Sequence, residues 1–584
     1  MPSSRNERRL ALAAALVALG LLTPWTARAQ LGPPVRLVPT EPTGNTTAPS
    51  APKAPAPSPA AQGGTSAPAE QGASIRATAL APVDSAWIGT LDSAGNPLPD
   101  SMWQGTPRSF VAAALSQLEP TTSPELQLLS RRLLLSNAIA PAGQDPADRP
   151  GLAALRVERL IALGEVDGAI AVLDALPAQT RTDALDHQRA ELYFAKDDVA
   201  GGCKRVQEGI ERYQTDWWQR ALIACQALAG DRAKASLGLS LLREQKVPPD
   251  RVFDQLIEAL AGRPMRLVRL PDPSPILVTL VAAAKLPLPA EAVAAADLPT
   301  LRAWAGNEAV PPLERLAAAE RATALGAMPA SALAALYAKV EFKPDELGSA
   351  IKQGRAPTTP RERALLYQVA RTDPAAAARA TALKALLAGA RKRDDFFTMA
   401  RVVAPVLADL PASDDLAPFA PEAVRALYAG GRPDAAAPWL IHAPPGTAPL
   451  LLCLTQPPTA GSDAKALHDA VAAAAGRDRK QATMLLSVMK ALDLPVAPAD
   501  WAALIGPAAP GTLPNAAVWL DQQDAAAGKR VGETVLTTLI LARDGDHLST
   551  EPVVVARAVT GLKAVGLEAD ARALALEAAL GAGL

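Results

Sequence analysis

The stretch Leu163-Gly164-Glu165-Val166-Asp167-Gly168-Ala169-Ile170, running on to Leu173, Leu176 and Pro177, decides how this chain folds. Aligned copies stand at Asp197-Asp198-Val199 with Gly202, and at Gly230-Asp231-Arg232 with Ala235. Positions 164, 197 and 230 are separated by 33 residues each time, and other positions keep the same step. Twelve residues before each turn lie Leu152, Leu185 and Trp218; nine after it lie Leu173, Val206 and Leu239. A stack of hairpins needs this register, because each unit must present apolar residues to its neighbours at equivalent points.

The pattern resembles the tetratricopeptide (TPR) repeat, whose period is about 34 residues. In that family Gly makes the turn between two helices, an apolar residue follows two positions on, and a small residue at plus five lets neighbouring helices approach. Gly164, Val166 and Ala169 occupy those places. The family's Trp, Tyr and terminal Pro are not reproduced, and the regular copies are confined to residues 150–245. Further copies of the turn occur at Gly431-Arg432-Pro433 with Ala436 and at Gly566-Leu567-Glu568 with Ala571.

Composition extends the reading beyond those residues. The chain has 584 residues, whereas single cores stop growing near ~250–300, so it must split or repeat. Hydrophobic residues make up 49 % and aromatics only 4 %, so the apolar content is mostly the helix formers Ala and Leu. Runs of β-branched and aromatic residues are nearly absent, which argues against a sheet. With 58 basic and 59 acidic side chains the net charge is −1, which leaves no electrostatic footprint for nucleic acid or an anionic membrane.

Helix starts recur at Thr106-Pro107, Ser123-Pro124-Glu125, Pro248-Pro249-Asp250, Pro311-Pro312-Leu313, Asp373-Pro374 and Thr550-Glu551-Pro552, where a cap residue or Pro opens a helix. Between 248 and 550 the unit length is irregular. The expected fold is therefore all-α: an irregular, TPR-like α-solenoid of antiparallel helical hairpins, preceded by a disordered Pro/Ala-rich segment.

That segment follows an export signal. Arg5, Arg8 and Arg9 precede an apolar run from Leu10 to Leu22, thirteen residues long, short of the ~20 a spanning helix needs. Pro24 and Ala27-Arg28-Ala29 fit cleavage after Ala29, with an uncleaved signal anchor as the other reading. Residues 30–75 are Pro, Ala, Ser, Thr and Gly with almost no large apolar residue, a composition that cannot offset its ordering entropy. The expected organisation is a signal peptide at 1–29, a linker at 30–75, a cap segment with the first helices at 76–145, TPR-like repeats at 146–245 and an irregular helical array at 246–584. The other long apolar run, Ile276 to Ala284, reads as a buried helix, so no stable membrane span is expected after cleavage.

Motifs that carry chemistry are missing. His187, His442, His468 and His547 form no H-E-x-x-H and are read as having no second ligand at i+4, so no metal site is expected. Nucleophile-elbow, Walker and dinucleotide-binding patterns do not occur, so neither catalytic nor cofactor-binding residues are assigned. The loop Asp544-Gly545-Asp546-His547 reads as a solvated turn. Soluble lytic transglycosylases build on a helical superhelix with a catalytic Glu followed by Ser, a dipeptide this chain lacks.

Cys203 and Cys225 each stand eleven residues from Gln214, so an antiparallel hairpin sets them level, and an oxidising compartment would favour a bridge; the alternative is that they, like Cys453, are small core residues. Of the adjacent Trp217 and Trp218, directed about 100° apart on a helix, Trp218 keeps the core register. Trp217 is either a surface anchor for a partner or packed against the next hairpin. The expected function is that of a non-catalytic periplasmic or secreted scaffold binding an envelope protein, without cofactor. The alternative is a peptidoglycan-related enzyme or its regulatory arm.

Overall fold

Caps and prolines open one helix after another along the chain. Ser123 Oγ accepts from the Leu126 amide with Pro124 at the first helical position, which starts the helix Pro124–Leu135. Asp198, Asp231, Asp250 and Asp297 each take an amide of the first turn in the same way. Thr359 and Glu362 form a reciprocal capping box ahead of Pro360–Thr372. Two starts fall later than the sequence suggests: Pro107 is itself the cap of Arg108–Leu115, and the helix after Asp373-Pro374 opens at Ala376.

These elements belong to a computed structural model that describes residues 84–145, 150–353, 356–457, 464–502, 504–505 and 515–584. The export signal at 1–29, the cleavage point after Ala29 and the linker at 30–75 lie outside the described residues. The described chain is all-α apart from one short hairpin, Arg543–Asp544 with His547–Leu548, and consecutive helices pack as pairs. Leu152–Ala162 pairs with Val166–Ala175, Asp183–Ala195 with Val199–Ile210, and Asp216–Leu228 with Arg232–Glu244. Ala420–Ala429 pairs with Pro433–Leu440, and Pro552–Ala564 with Glu568–Gly581.

The turns between these pairs share one geometry. Gly164, Asp197, Gly230, Gly431 and Gly566 have φ of 76°, 62°, 80°, 71° and 84°, the left-handed conformation that ends a helix and that Gly, or an Asp, adopts at least cost. Five residues on, Ala169, Gly202, Ala235, Ala436 and Ala571 are all buried. A Cβ on Gly202 would lie 2.9 Å from the Phe194 ring, so the small residue is what lets the two helices meet. The same left-handed conformation also ends helices outside the repeated pattern, at Asp394 (φ 59°) and Lys529 (φ 56°).

Two apolar cores run through the array. One gathers side chains from Ala190 to Leu451, together with Leu580. The other combines the first helices, from Ala86 to Ala195, with the last, from Leu450 to Ala579. The two ends of the described array are therefore joined. Pro124–Leu135 packs on Val531–Leu541 and on Glu568–Gly581. The Gly532 amide donates to the Met102 carbonyl at 2.8 Å, Arg132 is paired with Asp570, and the Thr122 amide and hydroxyl both donate to the Asp546 carbonyl. In the same core, Arg156 gives Nε and Nη1 to the Leu134 and Ile88 carbonyls, each at 2.7 Å, and lies over the Trp87 ring; burial lowers its pKa to about 9. The apolar run read as a buried helix is Pro275–Ala283, with Val278, Leu280 and Val281 in the core. Among the described residues no helix is long and apolar enough to cross a membrane.

Candidate functional site

Where the ends of the array meet, a cleft of about 650 Å³ opens between four segments. The turn after Ala376–Lys392 supplies Arg391, Asp394, Phe396 and Phe397; the start of Arg479–Ala491 supplies Asp478, Lys480 and Met484. The short hairpin supplies Asp544, His547 and Leu548, and Glu568–Gly581 supplies Glu577 and Leu580. A smaller hollow of about 390 Å³ shares Arg425, Gln481 and Leu580 with it. The loop read from sequence as a solvated turn is thus a tight antiparallel hairpin, with Asp544 opposite His547, and it forms one wall.

Glu577 is the most unusual group here. It is 4 % exposed, its Oε2 accepts from the Glu125 amide at 3.0 Å, and its Oε1 makes no hydrogen bond. Burial pushes its pKa up to about 8, with the Glu125 charge adding to the rise, against the lowering effects of the Ser123 hydroxyl, the Glu125 amide and Arg401. Glu125 is raised too, chiefly by burial.

The cleft's charges divide unevenly into paired and unpaired. Arg391 is bound to Glu422, and Lys480 lies 3.1 Å from Thr550 Oγ1 and 3.8 Å from Glu551. Arg425 donates to the Gly583 and Leu584 carbonyls. By contrast, Asp394, Asp478 and Asp544 are exposed and make no ion pair with any described residue, although Asp478 caps its helix through the Lys480 amide.

One arrangement invites a catalytic reading. Thr122 Oγ1 is 2.8 Å from His547 Nδ1, and His547 Nε2 is 3.0 Å from Asp546 Oδ1, the order of hydroxyl, imidazole and carboxylate that activates a nucleophile. Acyl transfer also needs free donors for an oxyanion. The amides next along the chain are already engaged: Glu125 N–H by Glu577, Leu126 N–H by Ser123 Oγ and Gln127 N–H by the Ser123 carbonyl. The three groups act as a hydrogen-bonded clasp between the two ends of the array.

The residues singled out from sequence lie elsewhere. Cys203 and Cys225 are joined by a disulfide with Cα atoms 5.6 Å apart, linking Val199–Ile210 to Asp216–Leu228, while Cys453 is a buried thiol. Trp218 is fully buried and gives its indole N–H to Asp183 at 2.6 Å. Trp217 is half-buried, packed on the His187 ring at 3.8 Å with a tilt of 32° and set edge-on to Trp218 at 4.7 Å. His187 also stands four residues before Glu191, with Nε2 4.0 Å from Oε1, an i+4 partner that the reading of the histidines overlooked. Glu191 is half-buried, and desolvation pushes it up to about 7 despite hydrogen bonds from the Ile276 amide, Ser274 and Trp217. Among the described residues no three His, Cys, Asp or Glu side chains are grouped to hold a metal ion.

Sequence reasoning missed the cleft. Its four segments lie tens of positions apart, with Thr122 hundreds further off, and Glu577 sits in Leu574-Ala575-Leu576-Glu577-Ala578-Ala579, where nothing marks it as buried. Compared with known protein families, curated proteins and solved structures, the chain matches none of them.

Proposed function

We propose that this chain is an exported, non-catalytic helical-repeat protein of TPR-like build that binds a protein of the cell envelope and seats a segment of that partner in the cleft. The observation that carries this reading is the cleft itself: about 650 Å³, mounted on helix ends, and lined by both apolar and charged side chains. Such a lining suits a peptide, which brings apolar side chains and polar backbone together. The left-handed turns with buried small residues at plus five support the TPR-like build, and the charged start, apolar run and Ala27-Arg28-Ala29 support export. Under this reading the mature chain starts at Gln30, is periplasmic or secreted, and keeps the Cys203–Cys225 bridge; Trp217 serves as a secondary contact through its exposed part.

The test is photo-crosslinking in intact cells from a reactive residue placed at Phe397, with a second placed at exposed Leu237 outside the cleft. A protein joined from position 397 and not from 237 supports the reading. Recovery of peptidoglycan fragments alone would replace it with the cell-wall enzyme or regulatory arm. N-terminal sequencing of envelope material checks Gln30, and mass spectrometry of an unreduced digest checks the bridge.

A further inference from the structure

We propose that the cleft recognises a basic side chain, lysine or arginine, carried on the partner's segment; this rests on the reading that the cleft seats a peptide. Its charges are unevenly matched. The cations lining the cleft already have partners: Arg391 has Glu422, Lys480 has Glu551 and Thr550, and Arg425 has two backbone carbonyls. The acids are less well matched: Asp394 and Asp544 make no ion pair with any described residue, Asp478 has only the Lys480 amide that it caps, and all three are exposed. The chain as a whole is close to neutral, so this local excess is not a by-product of an acidic composition.

An exposed acidic cluster alone would mean little, but Glu577 adds an independent observation. It lines the same cleft, is 4 % exposed, and leaves Oε1 without any hydrogen bond. A buried polar atom without a partner is costly and rare; a cationic donor brought by a ligand would satisfy Oε1 in its ionised form and draw off the proton that burial holds there. Phe397, half-buried, lines the cleft as well, its ring 5.5 Å from that of Phe396, which is buried beneath Arg391. Lysine and arginine bury an apolar stem along such a surface while the charged head reaches an acid or an aromatic face. The combination of an aromatic ring, exposed carboxylates and one buried carboxyl with an unpartnered oxygen matches that two-part side chain, and suits neither an acidic nor a purely apolar one.

The experiment measures fluorescence anisotropy of end-capped, dye-labelled pentapeptides that differ only at the centre: lysine, arginine, norleucine or glutamate. Full-length mature protein is used at low ionic strength and again at 0.15 M salt. The lysine and arginine peptides are expected to bind at least about tenfold more tightly than the other two, the scale of one well-placed charge contact. Glu577→Gln should remove most of that preference. The double variant Asp394→Asn/Asp544→Asn, at exposed positions that do not test the fold, should weaken it further at low salt, while Glu341→Gln, exposed and outside the cleft, should change nothing. Equal or tighter binding of the glutamate peptide, still competed by unlabelled peptide, would overturn the basic-side-chain inference and leave the peptide reading standing. No saturable binding of any of the four up to millimolar concentration would overturn both.

Discussion

Replacing Cys203 and Cys225 together with alanine should loosen one hairpin and leave the rest of the array as it is. The two residues are 22 apart in sequence, and closing a loop of that size contributes about 3 kcal/mol in the chain-entropy picture. Loss of two sulfur atoms, one of them in the core, adds a cavity term of about 1 kcal/mol. The effect is local because a repeat touches chiefly its neighbours. A global melting curve is the wrong readout, since a long array does not unfold in one step. Amide exchange followed by mass spectrometry resolves it. Peptides from Val199–Ile210 and Asp216–Leu228 should exchange roughly a thousandfold faster in the variant, the ratio that about 4 kcal/mol of local opening free energy gives. Peptides from Pro552–Ala564 should exchange as before. Equal protection of the two bridged helices in both proteins would show that the bridge adds nothing and that packing alone holds the pair.

Glu577 makes stability fall as pH rises. Burial raises its folded-state pKa from 4.5 to about 8, so between those values the folded chain holds a proton that the unfolded chain has lost, and the penalty is complete above about pH 8. Glu577→Gln should flatten that slope, followed as amide exchange of Glu568–Gly581 corrected for its intrinsic pH dependence, and protect this helix better than the parent at pH 8.5; an unchanged slope would refute it. Gly209→Ala should destabilise this hairpin by about 1–3 kcal/mol although alanine is the better helix former, because the new Cβ would lie 2.1 Å from Trp218 Cζ3; faster amide exchange in Val199–Ile210 should accompany a shift in tryptophan emission. Arg132→Ala leaves Asp570, 14 % exposed, without its buried partner and should cost about 3–5 kcal/mol at the seam, with limited proteolysis detecting new cleavage around 119–123 and 543–550.

How much of the fold and the cleft was legible depends on how local each feature is. The turns at 164, 197, 230, 431 and 566 could be read because a left-handed residue is restrictive, and Gly or Asp there leaves a mark within a few positions. Asp394 is a suitable residue but lacks a small residue at plus five, where Met399 stands, and at Lys529 the surrounding helices impose the conformation on a residue with no preference for it. The joining of the two ends was hidden for a stronger reason. The contact between Glu125 and Glu577 spans 452 positions, and no local pattern distinguishes a helix face that meets its sequence neighbour from one that meets the far end of the chain. The same distance hides the chemistry of Glu577. In its own helix it reads as one more charged residue on a solvated face, and it becomes an orphaned acid only because the segment around Ser123 and Glu125 is folded over it. In an array of this kind the repeat supplies the parts of a site, but closure of the ends brings them together, so its chemistry is a property of tertiary packing before it is one of sequence.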